Sequence, residues 1–373
     1  MERRNHYRAL LALQLVPELG LRRIKLLLDK NRKKDATEIF KMNISDILRT
    51  DGIGERLAKN IVQFENWKKA DEILLQTEKA GAFLVAIDDP HYPTLLRHIY
   101  DPPTLLWVKG SKDVLNSDGL AVIGTRRPGK YGSNQAGRWV RKLTDAGLCI
   151  NSGLAYGIDA IAHREALNAG GKTIAVLGSG IDVIYPAKNS HLVHRMIETG
   201  SAVITEFPPG TAPDAVNFPE RNRIVSGMSH GVLVVESGIK GGSMITARSA
   251  LDQNREVFVI PHPLNYPGGE GCNYLIKTGQ GKLVQNISDI LDEISVQTGD
   301  VTDQKAPTAK KWESMELDED ESMICTILQE SEMHIDQISE KAEKQVFTLL
   351  PLLLNLEMKG AVKQKAGKYF ELC

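Results

Sequence analysis

The chain has 373 residues, of which 42% are hydrophobic and 25% are charged, and its formal net charge is -1. These values are ordinary for a soluble globular protein of two or three domains, and they exclude a largely disordered or collagen-like chain. No run approaches eighteen apolar residues, so we expect no membrane span.

The first 82 residues show helical periodicity without a convincing strand, so we predict a helical domain over residues 1–82. Gly52 and Gly54 form a tight turn in LRTDGIGERLAKNI, and apolar residues follow at helical spacing. This arrangement resembles a helix-hairpin-helix motif of a SAM-like domain, whose free backbone N–H groups suit a DNA phosphate. The hairpin could equally serve for packing or protein binding, and the sequence leaves these alternatives open.

Residues 83–295 alternate short apolar runs with stretches long enough for crossover helices. Continuous apolar runs of this kind indicate parallel strands covered on both faces. We therefore predict a doubly wound, Rossmann-like α/β domain, with ligands bound beyond the carboxyl ends of its strands. The runs are LAVI (120–123), LCI (148–150), TIAVL (173–177), AVIT (202–205), VLVV (232–235) and VFVI (257–260).

The last part of the chain predicts a linker and a small domain. Residues 296–321 are polar and end in the acidic run ELDEDE. Residues 322–373 then offer three helical patterns and the sequence AVKQKAGKYFEL, which suits a hairpin around Ala366 and Gly367. This pattern is typical of a winged helix. Such domains bind DNA or proteins, and the acidic surroundings favour a protein partner.

Glycine-rich turns with nearby cations follow several predicted strands. Gly124 ends the first strand in IGTRRPGKYG, and Ser152 with Gly153 ends the second in NSGLAYGIDAIAH. Glycine lets the backbone approach a ligand, and arginine offers a planar fork to phosphate oxygens. Because the carboxyl ends of parallel strands share one edge, these turns predict one broad basic rim suited to anions.

Other kinds of site fit the spacing less well. Asp159 and His163 share a helix face and could form a general base and the residue that orients it. A structural hydrogen bond at the pocket floor is favoured instead. Neither a dinucleotide fingerprint nor a P-loop has the required glycine spacing. The histidines, and the cysteines at 149, 272, 325 and 373, show no metal or disulfide spacing. We therefore expect no NAD, ATP, zinc or other cofactor, and scattered thiols fit the cytoplasm.

Several motifs together closely resemble the DNA-processing protein A (DprA/Smf) family. They are IGTRRPGKYG, NSGLAYGIDAIAH, TIAVLGSGIDVIYPAKN, FPERNRIVSGM and VVESGIKGGSMITARSALDQNREVFVIPH. The resemblance implies a bacterial cytoplasmic protein without catalytic activity that binds and protects single-stranded DNA. It also implies that the protein loads the RecA recombinase in natural transformation and DNA recombination, and that it forms a homodimer through the α/β domain.

The resemblance also implies roles for individual residues. Gly124, Thr125 and Arg126 match the family's phosphate-binding turn, where Thr125 replaces a more usual serine. Lys188 and Asn189 match its second basic wall. Tyr131, Tyr185 and Phe218 are candidates to stack bases. The residues predicted to bind nucleic acid are Gly124, Thr125, Arg126, Arg127, Tyr131, Ser152, Gly153, Lys188, Asn189, Phe218, Arg221, Asn222, Arg223, Gly241, Gly242 and Ser243.

Two other functions compete with this interpretation. The same α/β class includes phosphoribohydrolases similar to the cytokinin-activating Lonely Guy proteins. The comparable turn here, GIKGGSMIT, lacks their proline and helix glutamate, and Glu236 is the nearest candidate carboxylate. A pure protein adaptor is the third possibility, and it would show no DNA binding at low salt.

Overall fold

The computed structural model describes residues 2–31, 35–294, 315, 317–329, 333–342, 344–365 and 369–372. The chain forms two compact units, Met1–Val301 and Thr302–Cys373. No helix in these described ranges is long and apolar enough to cross a membrane.

The first unit begins with six helices that surround an aliphatic core. These are α1 (Glu2–Leu15), α2 (Gly20–Lys30), α3 (Ala36–Ile39), α4 (Ile44–Leu48), α5 (Glu55–Val62) and α6 (Trp67–Lys79). α2 buries Ile24, Leu27 and Leu28, which recur at helical spacing. Between α4 and α5, Gly52 has a φ of 76°, a left-handed conformation that favours glycine. α4 and α5 therefore form the predicted hairpin.

A nine-stranded sheet lies at the centre of the first unit. Its strands are β1 (Phe83–Ala86), β2 (Leu105–Gly110), β3 (Gly119–Gly124), β4 (Cys149–Ser152), β5 (Thr173–Val176), β6 (Ala202–Thr205), β7 (Gly231–Glu236), β8 (Glu256–Val259) and β9 (Lys282–Leu283). The strand order is β1-β2-β6-β5-β4-β3-β7-β8-β9. From β6 to β9 in this order, each strand is parallel to its neighbours. β1 pairs antiparallel with β2, and β2 pairs antiparallel with β6. All six predicted runs are parallel strands, so the predicted α/β class is confirmed.

Helices cover both faces of the sheet. They are α7 (Thr94–Arg97), α8 (Lys130–Asp145), α9 (Ile158–Asn168), α10 (Ser190–Glu198), α11 (Asn217–Gly227), α12 (Gly242–Asp252), α13 (Glu270–Lys277) and α14 (Ser288–Leu291). The connections through α8, α9 and α10 run along the sheet in one direction, and those through α11 and α12 run in the other. Because such crossovers are right-handed, α8, α9 and α10 lie on one face of the sheet, and α11 and α12 lie on the opposite face. The strand order reverses between β3 and β7, which makes their carboxyl ends the expected ligand crevice.

The helical front packs directly on the sheet. Leu10 and Leu27 belong to the same buried cluster as Trp107 of β2 and Val203 of β6. The predicted boundary between residues 82 and 83 falls at the first residue of β1. This shared core fixes the helical front relative to the strands inside the first unit.

The second unit is a small winged helix. Its elements are α15 (Glu319–Ile327), β10 (Met333–His334), α16 (Ile335–Ala342), α17 (Val346–Met358), β11 (Val362–Lys365) and β12 (Tyr369–Leu372). The side chain of Asp318 accepts the N–H of Glu321, and the side chain of Glu321 accepts the N–H of Asp318, which fixes the start of α15. β11 and β12 pair antiparallel, as predicted. Ala366, Gly367 and most of the predicted linker lie outside the described residues.

Candidate nucleic-acid interface

A cleft of about 750 Å³ opens at the switch point between β3 and β7. The turns after β3 and β4 form one side of its lining, and the first residues of α11 and α12 form the other. The structure thus joins residues from five separate stretches of the chain in one site. The predicted residues that line it are Gly124, Thr125, Arg126, Gly153, Tyr185, Phe218, Arg221, Asn222, Gly241, Gly242 and Ser243.

The turn after β3 is held by backbone hydrogen bonds. The N–H of Thr125 donates to the carbonyl of Glu236 at 2.7 Å, and the N–H of Ile158 donates to the carbonyl of Thr125 at 3.2 Å. A Cβ at Gly124 would lie 2.5 Å from the Ile158 side chain and 2.9 Å from the Glu236 carbonyl. Glycine therefore lets this turn pack against β7 and α9, and the turn brings Arg126 to the rim of the cleft.

Arg126 places an exposed positive charge beside two aromatic rings. Its guanidinium carbon lies 5.6 Å from the centroid of the Phe218 ring. The centroids of the Phe218 and Tyr185 rings are 5.7 Å apart. No carboxylate of the described ranges forms an ion pair with Arg126. An available cation next to aromatic rings is suited to a phosphate and its attached base.

Arg221 forms the floor of the cleft. It is 4% exposed, and its Nη1 donates to the carbonyl of Gly153 at 2.6 Å and to the carbonyl of Val176. Burial lowers the pKa of Arg221 to about 10, although the nearby Asp159 carboxylate opposes this shift. A Cβ at Gly153 would lie 2.6 Å from the Arg221 guanidinium, so the absence of a side chain there makes room for this buried cation.

Asp159 completes the floor. It accepts the N–H of Gly153 at 3.2 Å and the N–H of Ala155 at 3.3 Å. Burial raises the pKa of Asp159, and the charge of Arg221 opposes that shift. Asp159 thus fixes the turn after β4, which agrees with the structural role favoured from the sequence.

Two predicted residues are buried beside the cleft. The hydroxyl of Ser152 donates to the carbonyl of Val122 at 2.7 Å. The side-chain Nδ2 of Asn189 donates to the carbonyl of Leu154 at 2.8 Å. Both side chains therefore hold neighbouring backbone in place, and neither lines the cleft.

Three further predicted residues are exposed outside the cleft lining. Lys188 lies in a short turn of 3-10 helix, Ala187–Asn189, before α10. Arg127 follows Arg126 directly and is exposed. Tyr131 lies in the first turn of α8, and its hydroxyl donates to the carbonyl of Pro261 at 3.2 Å. The structure does not bring these three side chains together at the cleft.

Arg223 lies in a second cleft of about 550 Å³. Its Nη2 donates to Glu206, and its Nε lies 3.2 Å from a carboxylate oxygen of Asp101. Burial raises the pKa of Glu206 to about 7, although the Arg223 guanidinium opposes this shift. The charge of Arg223 is therefore shared with the protein's own carboxylates, and its contact with DNA stays a prediction. The second cleft is lined by Leu19, Gly20, Leu21, Arg22, Arg23, Leu26, Asp51, Gly52, Asp101, Glu206, Glu220 and Arg223.

The candidate catalytic groups have structural partners. Glu236 is 1% exposed and accepts the N–H of Gly129 and the hydroxyl of Tyr266, each at 3.0 Å. His163 is fully buried with its Nδ1 2.7 Å from the hydroxyl oxygen of Thr173, and burial lowers its pKa to about 3. Neither side chain lines the cleft. Across the described ranges, no group of three or more His, Cys, Asp and Glu side chains could hold a metal ion.

Sequence reasoning missed part of the cleft wall. Pro213 and Ala215 precede α11, and Ile245 and Thr246 lie in the first turns of α12. The proline-rich segment FPPGTAPDAVNFP, between a strand and a helix, was the available signal, because proline fixes a loop that positions binding groups. Ile245 and Thr246 carry no such signal, since they read as ordinary helix.

Comparisons with known proteins agree with this architecture. The family model for DNA recombination-mediator protein A matches residues 83–295, and that for the DprA winged helix domain matches residues 306–368. Protein Smf of Escherichia coli is 35% identical over 326 residues, which are 87% of this chain and 87% of that protein.

Two solved structures are also similar to this chain. DNA processing protein A (DprA) from Streptococcus pneumoniae has a TM-score of 0.66 at 34% identity, and the match covers 76% of this chain and 96% of that one. DNA processing protein A from Helicobacter pylori, reported for its single-stranded DNA binding mode, has a TM-score of 0.51 at 30% identity, covering 57% of this chain and 96% of that one.

Proposed function

The chain belongs to the DNA recombination-mediator protein A family, and on this premise we propose that it binds single-stranded DNA in the cleft between β3 and β7. The observation that carries the proposal is the exposed Arg126 guanidinium beside the rings of Phe218 and Tyr185. These groups stand over a floor built from glycine turns and a buried arginine. The Helicobacter pylori relative, described as binding single-stranded DNA, supports the same substrate.

The cleft can hold a strand by its backbone. Arg126 neutralises one phosphate. Gly242 and Ser243, in the first turn of α12, line the same cleft, and N–H groups at the start of a helix can donate to phosphate oxygens. The Phe218 and Tyr185 rings receive a base by stacking, which contributes about 1–3 kcal/mol per base. Because phosphate contacts and stacking read little sequence, we expect binding to single strands of any sequence.

We also propose what happens to the bound strand. A protein that grips phosphates independently of sequence can protect incoming DNA and pass it to a recombinase of the RecA type. Natural transformation and DNA recombination in the cytoplasm are the proposed setting, with a homodimer formed through the α/β domain. Membership of the DNA recombination-mediator protein A family supports the role in recombination.

The proposed activity makes and breaks no covalent bond. Glu236 is held by Gly129 and Tyr266, and His163 is buried against Thr173, so neither lines the cleft. Asp159 does line the cleft, but its carboxylate already accepts two backbone N–H groups. A phosphoribohydrolase is the second candidate function, and incubation with nucleoside monophosphates tests it. Release of free base at enzymatic rates would overturn the non-catalytic proposal.

A salt series with labelled oligonucleotides tests DNA binding. We expect the full chain to prefer single strands to duplexes, with log affinity falling by about 0.7 per phosphate contact for each unit of log salt. Arg126→Ala should lower single-strand affinity roughly tenfold and flatten that slope by about 0.7, because one phosphate contact is lost. Fluorescence anisotropy measures both quantities.

The matched control is Lys112→Ala. Lys112 is exposed just after β2, which runs antiparallel to β6, so it lies at the opposite edge of the sheet from the cleft. Its removal changes the net charge equally and should leave affinity within about twofold. If both variants bind with the same affinity and salt slope, the cleft is not the binding site.

A further inference from the structure

The outer surface of α8, α9 and α10 concentrates positive charge beside the cleft. The three helices lie side by side on one face of the sheet. We name this surface the helical cation face, and it comprises Arg138 and Arg141 of α8, Arg164 of α9, Lys188 in the turn before α10, and Arg195 of α10.

The carboxylates near this face do not neutralise it. Glu165 accepts an ion pair from Arg141 at 3.0 Å and another from Arg164 at 3.2 Å, so two cations share one anion. Both arginines stay accessible, with side chains 61% and 47% exposed. Arg195 donates to the neutral side chain of Asn168 at 3.0 Å. The pairing thus leaves an excess of positive charge.

Arg138 and Lys188 add two more cations to this excess. Both are exposed, and neither forms an ion pair with a carboxylate of the described ranges. The other carboxylates of the three helices are Asp159, which is buried in the cleft floor, and Asp145 and Glu198, which lie at the ends of α8 and α10, away from the cleft. The surface nearest the cleft is therefore the most positive part of the face.

The face is continuous with the cleft. Tyr156, 44% exposed just before α9, surrounds a small hollow together with Arg126, Tyr185 and Phe218. From the start of α9 to Arg164 the helix rises by about 9 Å. A strand that leaves the cleft beside Tyr156 therefore reaches Arg164 within a few nucleotides.

We propose that single-stranded DNA held in the cleft continues across the helical cation face, so that one chain binds a longer strand than the cleft alone can hold. This inference rests on the proposed function, because the cleft supplies the first contact. Cations in the last turns of α8 and α10 also complement the helix dipoles. Arg138 and Arg164 lie earlier in their helices, and a dipole role does not account for them.

The test variant is therefore Arg138→Ala combined with Arg164→Ala, which leaves the pair of Arg141 with Glu165 intact. Anisotropy is measured on the full chain with oligothymidylates of about 6 and about 30 nucleotides, lengths that bracket typical single-strand sites. We expect affinity for the long strand to fall roughly tenfold and its salt slope to fall by about 1.4, for two lost contacts. Affinity for the short strand should change by less than about twofold, because it fills only the cleft.

The control is Arg248→Ala, an exposed arginine of α12 on the opposite face of the sheet. It should bind both lengths as the unchanged chain does. Thermal unfolding of every variant checks that the fold is kept, and Arg138→Ala alone replaces the double variant if the latter melts early. The length of strand occluded per chain, from stoichiometric titration, should shorten only when the face is altered.

The outcomes separate this inference from the proposed function. Equal losses on short and long strands would overturn the extension, because the effect would then lie in the cleft. Unchanged binding of long strands by the double variant would also overturn the extension, and an acidic protein surface would then be the better candidate partner for the helical cation face. If the unchanged chain binds neither length at low salt, the proposed function itself fails.

Discussion

Two clefts of the first unit both contain arginines near glycine turns, but these arginines differ in exposure and in pairing. In the cleft at the switch point, Arg126 is exposed and its described neighbour is the ring of Phe218. In the second cleft, the side chain of Arg223 is 14% exposed and lies between Glu206 and Asp101. The difference shows that an arginine near a glycine turn is available to an anion only where the fold keeps carboxylates away.

Burial determines whether an arginine must be paired with acceptors of the protein itself. A guanidinium removed from water needs compensating acceptors, because an unpaired buried charge is strongly unfavourable. Arg221 obtains them from two carbonyls and the charge of Asp159, and Arg223 obtains them from two carboxylates. Arg126 remains in water and can exchange its hydration for a phosphate.

The largest expected effect separates the floor of the cleft from its rim. Arg221→Ala should lower the free energy of unfolding by about 3–5 kcal/mol, because it leaves Asp159 and two carbonyls buried without their partner. Arg126→Ala should change that free energy by less than about 0.5 kcal/mol, since its side chain is exposed. Urea unfolding of the first unit, followed by tryptophan fluorescence, compares them. Equal losses would show that rim and floor do not differ.

The second effect concerns pH and the second cleft. The folded-state pKa of Glu206, about 7, lies above its ordinary value of 4.5, so folding favours the protonated form. The resulting stabilisation is complete below pH 4.5 and is lost as the pH rises through about 7. Relative to Glu206→Gln, which does not titrate, the unchanged chain should therefore lose about 2–3 kcal/mol between roughly pH 5 and 8.

Urea unfolding of both chains across that pH range measures this difference. The glutamine keeps an acceptor for Arg223, so the comparison isolates the titration of the carboxyl group. Parallel stability profiles would mean that Glu206 stays charged throughout and that Arg223 outweighs burial.

The smallest expected effect is on DNA binding by the second cleft. Arg223→Gln should change single-strand affinity by less than about twofold, because the Arg223 charge is already shared with carboxylates. Arg126→Ala is the positive comparison in the same anisotropy assay. A loss for Arg223→Gln as large as that for Arg126→Ala would erase the contrast between the clefts and support the sequence-based assignment of Arg223.

The strands that the sequence predicts are those whose apolar runs alternate with crossover helices. β5 and β7 read as continuous apolar segments because helices cover both faces of the sheet there. β1 and β2 are also apolar, but they pair antiparallel and lack that alternation. β9 has two exposed residues and no pattern at all. The parallel core was therefore predictable and the sheet edges were not.

The candidate site divides in a similar way. Gly124 and Arg126 belong to one local turn, so a short stretch of sequence carries both the turn and its cation. The partners of Arg223 lie on other elements, and nothing near Arg223 in the sequence identifies Asp101 as one of them. The burial of Arg221 under Gly153 likewise depends on two elements that meet only in the fold.

That contact between Gly153 and Arg221 links two positions in any diversified library of this chain. An alanine at 153 would displace the guanidinium, so we expect it to survive selection only when position 221 also shrinks. A smaller residue at 221 would in turn leave the Asp159 carboxylate without its buried cation and favour replacement of Asp159. Substitutions at the bottom of the cleft should therefore occur together, whereas positions along its rim can change independently.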